Sequence, residues 1–237
     1  MTRTALLGVL ALIAVLISAG RPSVVLADDD NHGKTFEVTV TNITPGSGTE
    51  SGQILNGLVV ATHNRHFRLF DLGEPASEEL ALVAEDALNA DLVAALSTNP
   101  DVCDVQIFDD VILPGNYASV VVTAKGRCRH LSLAAMLVTT NDAFAALNGV
   151  RLRKRGDKFL ALAYDAGSEA NTENCADIPG PPCGKIKRVH GGEGYVSIHS
   201  GIHGETGGVV SSDLLPSERD WRNPVAYITI DRVDDDD

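Results

Sequence analysis

Three acids stand just beyond apolar runs in the middle of the chain. The run Leu131-Ser132-Leu133-Ala134-Ala135-Met136-Leu137-Val138 gives way to the polar turn Thr139-Thr140-Asn141-Asp142, and further on comes the loop Tyr164-Asp165-Ala166-Gly167-Ser168-Glu169-Ala170-Asn171. Carboxylates at strand ends, in loops that carry Gly and Asn, suit a hard cation such as calcium, which takes about six to eight oxygens in a flexible shell. Asp142, Asp165 and Glu169 are the candidate ligands on this reading. A plainer reason also places Asp and Asn in turns, because their side chains hydrogen-bond nearby backbone and tolerate left-handed conformations. No EF-hand pattern of the D-x-[DN]-x-[DN]-G type occurs, so spacing alone leaves both readings open.

Other chemistry has less to stand on. His199 and His203 lie four apart in "HSGIHG", but Gly201 and the alternating pattern before it predict a strand entering a turn, where that spacing does not make two imidazoles converge. His63-Asn64-Arg65-His66 also follows an apolar run and sits at a strand end. The H-E-x-x-H and G-x-S-x-G patterns are absent, as are phosphate-loop and dinucleotide fingerprints. Glu78-Glu79 and Asp109-Asp110 are adjacent acids that point different ways, which does not suit paired-carboxylate glycoside hydrolysis. A triad assembled only in three dimensions stays open.

The elements that must position these residues read mostly as strands. Phe36 to Thr41, Ser119 to Ala124, Tyr195 to His199 and Val225 to Ile230 carry the period-two signal, with turns such as Thr44-Pro45-Gly46-Ser47-Gly48 and Leu113-Pro114-Gly115-Asn116 between. The exception is residues 77–96. There Leu80, Val83, Ala84, Ala87, Leu88, Leu92 and Ala95 form a helical stripe opened by Ser77 as N-cap, with Glu78 and Glu79 in the first turn. Strands with one helical insertion predict an all-β fold, an antiparallel β-sandwich. Residues 28–237 are long enough for one such domain.

Residues 1–27 read as a cleaved signal peptide. Arg3 precedes the apolar run Ala5 to Ala19, the run is interrupted by Arg21-Pro22, and small-type residues lead to cleavage after Ala27. The run is shorter than the ~20 residues a spanning helix needs. Export makes disulfides the default for the four cysteines. Cys175 and Cys183 bracket a Pro- and Gly-rich loop, and Cys103 and Cys128 flank two strand-like runs, so the predicted pairs are Cys103 with Cys128 and Cys175 with Cys183. A zinc site lacks C-x-x-C spacing. The formal charge of -13 argues against nucleic acid and anionic membrane as partners. The acidic tail Asp234 to Asp237 reads as a solvated end, and Asn42-Ile43-Thr44 matches a glycosylation acceptor.

The strings "SLAAMLVTTNDAFAALNGV", "AYDAGSEAN", "GIHG" and "DWRNPVAYITI", with "LFDLGEPAS" at Leu69 to Ser77, resemble the spondin domain, the N-terminal module of F-spondin and mindin, in a short secreted microbial form. The resemblance runs from about Phe36 to Val233. It implies a sandwich similar to C2 domains and a calcium ion held at Asp142, Asp165 and Glu169 in the loops at one end. Two departures stand out: Glu169 replaces the Asp of animal members, and Ala143 replaces their Trp. The thrombospondin-type repeats of F-spondin are absent, so their adhesive roles do not transfer. The expectation is a secreted, non-catalytic, calcium-binding adhesion or binding module. Its partner would be a protein or glycan of the cell surface or extracellular matrix. The alternatives are a secreted metal-dependent hydrolase built on His199, His203 and nearby acids, and a purely structural envelope component.

Overall fold

The structure, a computed structural model, describes residues 33–185 and 187–233. The expected signal peptide and acidic tail lie outside the described residues. Nine strands follow in chain order: β1 (Lys34–Asn42), β2 (Leu55–His63), β3 (Val102–Phe108), β4 (Tyr117–Ala124), β5 (His130–Leu137), β6 (Ala143–Arg151), β7 (Asp157–Asp165), β8 (Ser197–Ile198) and β9 (Ala226–Val233). Their lateral order is β3-β2-β5-β6-β7-β9-β1-β4, every ladder is antiparallel, and the short β8 adds to β7. The fold is an all-β, sandwich-like sheet with small helical insertions, as the strand signals predict.

β7 belongs to both layers. Asp157 to Ala161 pair with Ile230 to Ala226 of β9, whereas Leu162 to Asp165 pair with Ala146 to Ala143 of β6. The registers place Asn42, Leu137, Ala143 and Asp165 at one end of the sheet, and Lys34, Ala124, His130, Arg151 and Val233 at the other.

Burial explains why β5 lacks alternation. Leu131, Leu133, Ala135 and Leu137 enter the main core with Val38 and Val40 of β1 and Ile228 and Ile230 of β9. Ala134, on the opposite face, packs beneath Leu80, Val83 and Leu92, beside Phe144. A strand covered on both faces reads as a continuous apolar run. β1 and β4 keep the alternation because their outer faces meet solvent.

The helical insertion is two helices rather than the one expected over residues 77–96: α1 (Glu78–Asp86) and α2 (Ala90–Thr98). Ser77 does cap α1, its Oγ accepting the Leu80 N–H at 3.2 Å. Ala87 then ends α1 in the left-handed region, φ 55, packed against Gly57. The break resets the helical phase. Leu88, expected on the buried stripe, is 55% exposed, and Leu96 is buried in place of Ala95. The strand expected over Tyr195 to His199 also shrinks to β8, which finds only Tyr164 and Asp165 as partners.

Both disulfides form as predicted. Cys103–Cys128 ties β3 to the entry of β5 across β2, and Cys175–Cys183 closes the loop after β7. All four sulfurs are thereby removed from any zinc site. Among the described residues, no helix is long and apolar enough to cross a membrane.

Candidate metal centre

Where β5 turns into β6, Thr140 fixes the turn: its Oγ1 donates to Leu137 O at 2.6 Å and accepts the Ala143 N–H at 3.0 Å. Asp142 is thereby held next to Ala143, whose ladder partner is Asp165 at the end of β7. The Ala166 N–H donates to Asp142 O, closing the two loops on each other. The acids share this end of the sheet because β6 and β7 are neighbours there.

Asp142 is fully buried. Its Oδ2 accepts from the Ser168 N–H at 2.7 Å, the Ser168 hydroxyl at 3.1 Å and the Glu169 N–H at 2.9 Å. Its Oδ1 has no hydrogen-bond partner, although it too is buried. Burial first, and the Asp165 carboxylate second, push the Asp142 pKa up to about 7 against the pull of those three donors. Asp165 is raised as well, by burial, despite the Gly167 N–H on Oδ1 at 2.7 Å and the Asn171 amide on Oδ2 at 2.6 Å. Two carboxyls side by side and out of water do not both ionise at neutral pH without a neighbouring positive charge.

Glu169 follows the same loop, but its side chain goes elsewhere. Its carboxylate lies 3.2 Å from the Lys185 ammonium and accepts the Val189 N–H at 3.2 Å. Lys185 also reaches Asp86 at 3.2 Å, so it pins the end of α1 to this loop. The structure therefore brings Asp142 and Asp165 together and turns the third expected ligand toward Lys185. Among the described residues, no three His, Cys, Asp or Glu side chains converge as a metal-holding group.

The donor chemistry still fits a hard cation at the acid pair. Asp142 Oδ1 is a buried oxygen without a partner, it stands beside a second carboxylate, and calcium completes its shell with backbone and water oxygens when side chains are few.

The histidine pair has a different place. The Gly201 N–H donates to His199 Nδ1 at 3.0 Å, so Nε2 carries the proton and donates to Asn171 Oδ1 at 3.1 Å. Asn171 in turn donates to Asp165. His199 is thus a positioning residue behind the acid pair, packed on Trp221 and kept neutral by burial, with its pKa lowered to about 4. His203 points to Glu173, 3.9 Å away, whose carboxylate also gathers the His203 and Gly204 N–H groups. A Ser–His contact, Ser132 with His63, is sealed inside the sheet with His63 Nδ1 donating to Asn64 O.

Asn171, Ser168 and Lys185 escape a reading of spacing. Asn171 and Ser168 lie within the quoted loop, yet nothing in their order marks which carboxylate oxygen each meets. Lys185 lies 16 residues beyond Glu169 in the same connection between β7 and β8, and its only sequence sign is a cation just after Cys183. No family model matches the chain, and no curated protein matches it. The spondin likeness rests on the motifs quoted above.

Proposed function

We propose that this is a secreted, non-catalytic, calcium-binding module of spondin type, acting in adhesion or binding outside the cell. The observation that carries the reading is the buried Asp142–Asp165 pair with its unpartnered Oδ1. Calcium would supply there the positive charge that lets both carboxyls ionise. Asp142 belongs to the β5–β6 turn and Asp165 to the end of β7, so the pair joins two loops at one end of the sheet. Asn171 and His199 hold Asp165 from behind, and the Ser168 and Glu169 amides hold Asp142. Ordered in this way, the loops present one fixed surface to a partner. Two disulfides fit the oxidising setting of an exported protein.

The test is thermal unfolding with calcium titrated from chelated to millimolar. Binding to the native state alone stabilises by about 2.7 kcal/mol at a hundredfold excess over Kd. At ~2–4 °C per kcal/mol for a domain of this size, the midpoint rises by about 5–11 °C. Asp142→Asn and Asp165→Asn abolish the rise. A wild type that does not respond, or variants that respond equally, would sink the reading.

A further inference from the structure

The opposite end of the sheet has the opposite charge. A cleft of about 420 Å³ is lined by Lys34, Arg129, Arg151, Arg153 and Lys154 over an apolar floor of Phe36, Ala124 and Leu152. A second, of about 460 Å³, is lined by Arg65, His66, Arg127, Arg129, His130 and Arg151, with Asn64. Arg129 and Arg151 border both, so the two are neighbours at this end of the sheet. Among the described residues no Asp or Glu lines either cleft, in a chain with 32 acids against 19 Lys and Arg.

Some of this charge is already answered: Arg127 meets Asp101 at 3.6 Å and Arg153 meets Asp157 at 3.4 Å. Arg151 and Lys154, both exposed, have no carboxylate partner among the described residues. The field reaches inward, since burial and then the charges of Arg68, Arg151 and Arg65 lower the pKa of His130.

From these clefts we infer that the end of the sheet remote from Asp142 and Asp165 binds an acidic polysaccharide through its sulfate or carboxylate groups. Guanidinium forks match such oxyanions two bonds at a time. The floor, where half-buried Ala124 lies over buried Phe36 and Leu152, offers a small apolar contact of the kind that the C–H face of a sugar ring takes, while the rim offers the charge. Nucleic acid fits less well because no exposed Phe, Tyr or Trp lines the clefts for base stacking, which leaves His66 as the one exposed ring among the residues that line them. A membrane fits less well because none of the exposed large apolar side chains borders these concave sites. The inference does not depend on calcium.

Binding is measured with the purified protein in chelator, which removes calcium bridging, at about 0.15 M salt, where the Debye length is about 8 Å. The probes are dextran sulfate, polygalacturonate, neutral dextran, polyglutamate, oligothymidylate and phosphatidylserine vesicles. Dextran sulfate or polygalacturonate binds, and which of them binds tighter separates sulfate from carboxylate recognition. Neutral dextran does not bind. Arg151→Gln with Lys154→Gln weakens binding at least tenfold, and Lys187→Gln with Arg222→Gln, the same charge change away from the clefts, alters it less than twofold. Equal loss in the two double variants, no binding of either polysaccharide, or tighter binding of oligothymidylate, polyglutamate or vesicles overturns the inference.

Discussion

Asp142 stores its ionisation cost in a way that pH can read. Its pKa rises from 3.8 to about 7 on folding, so between these values the folded chain holds a proton that the unfolded chain releases. Without a cation, stability therefore falls as pH rises through that window, by a few kcal/mol at about 1.4 kcal/mol per pKa unit. His199 slopes the other way: its folded pKa of about 4 lies below 6.5, and its contribution is lost as pH falls through that interval. The difference between wild type and Asp142→Asn isolates the first effect. In chelator the variant gains on wild type from pH 4 to pH 7, and in saturating calcium the gain disappears, as urea unfolding across pH will show. Glu169 behaves differently from the pair because its carboxylate is committed to Lys185. Glu169→Gln accordingly weakens calcium binding much less than Asp165→Asn does, and calorimetric titration of both variants decides between Lys185 partner and cation ligand. The sequence makes the carboxylates legible as residue types in loops, but a side chain's direction depends on which cation comes near it, and the fold-back that brings Lys185 to Glu169 from 16 residues further along the same connection leaves no mark in the spacing.

At the scale of elements, two supports hold the acid end together. The Lys185–Glu169 contact is almost wholly out of water, with side-chain exposures of 10% and 0%, and removing one partner of such a pair costs about 3–5 kcal/mol. Lys185→Met loses about that much, whereas Lys185→Met with Glu169→Gln recovers most of it, a result that a double-mutant cycle in denaturant checks. The second support is Gly167, whose φ of +70 and close approach to the Tyr195 backbone leave no room for a side chain. Gly167→Ala displaces the loop that carries Ser168 and Glu169 and so weakens calcium binding even though it removes no ligand. Strand periodicity revealed β1, β4 and β9 because one face of each meets solvent or turns, and composition revealed β5 because both faces are covered. The break at Ala87 was hidden, since alanine is a good helix former and only the crowding against Gly57 shows why the chain turns there. β8 fell short of its pattern because only the end of β7 is available to pair with it.

For the whole molecule, net charge was the least informative number the sequence offers. An acidic total hid the cationic end because charge is summed over a chain but felt over about one Debye length. The clue stood in order rather than in composition: "HNRHFR", "KGRCRH" and "RLRKR" are far apart in the chain, and the antiparallel registers bring them to the same end. The disulfide between Cys103 and Cys128 closes part of that end. Replacing both by alanine costs about 3 kcal/mol of stability through the freed unfolded chain, read as a lower urea midpoint with little change in calcium response.

β7 gives the molecule a mechanical property. Because its first half is laced to β9 and its second half to β6, neither layer can melt without unlacing the strand that the other still needs. The two layers have no seam along which to part. Heat should dissolve them in one cooperative event, with calorimetric and van't Hoff enthalpies equal, and the amides of Ala161 and Leu162, at the crossing, should be among the last to exchange with deuterium.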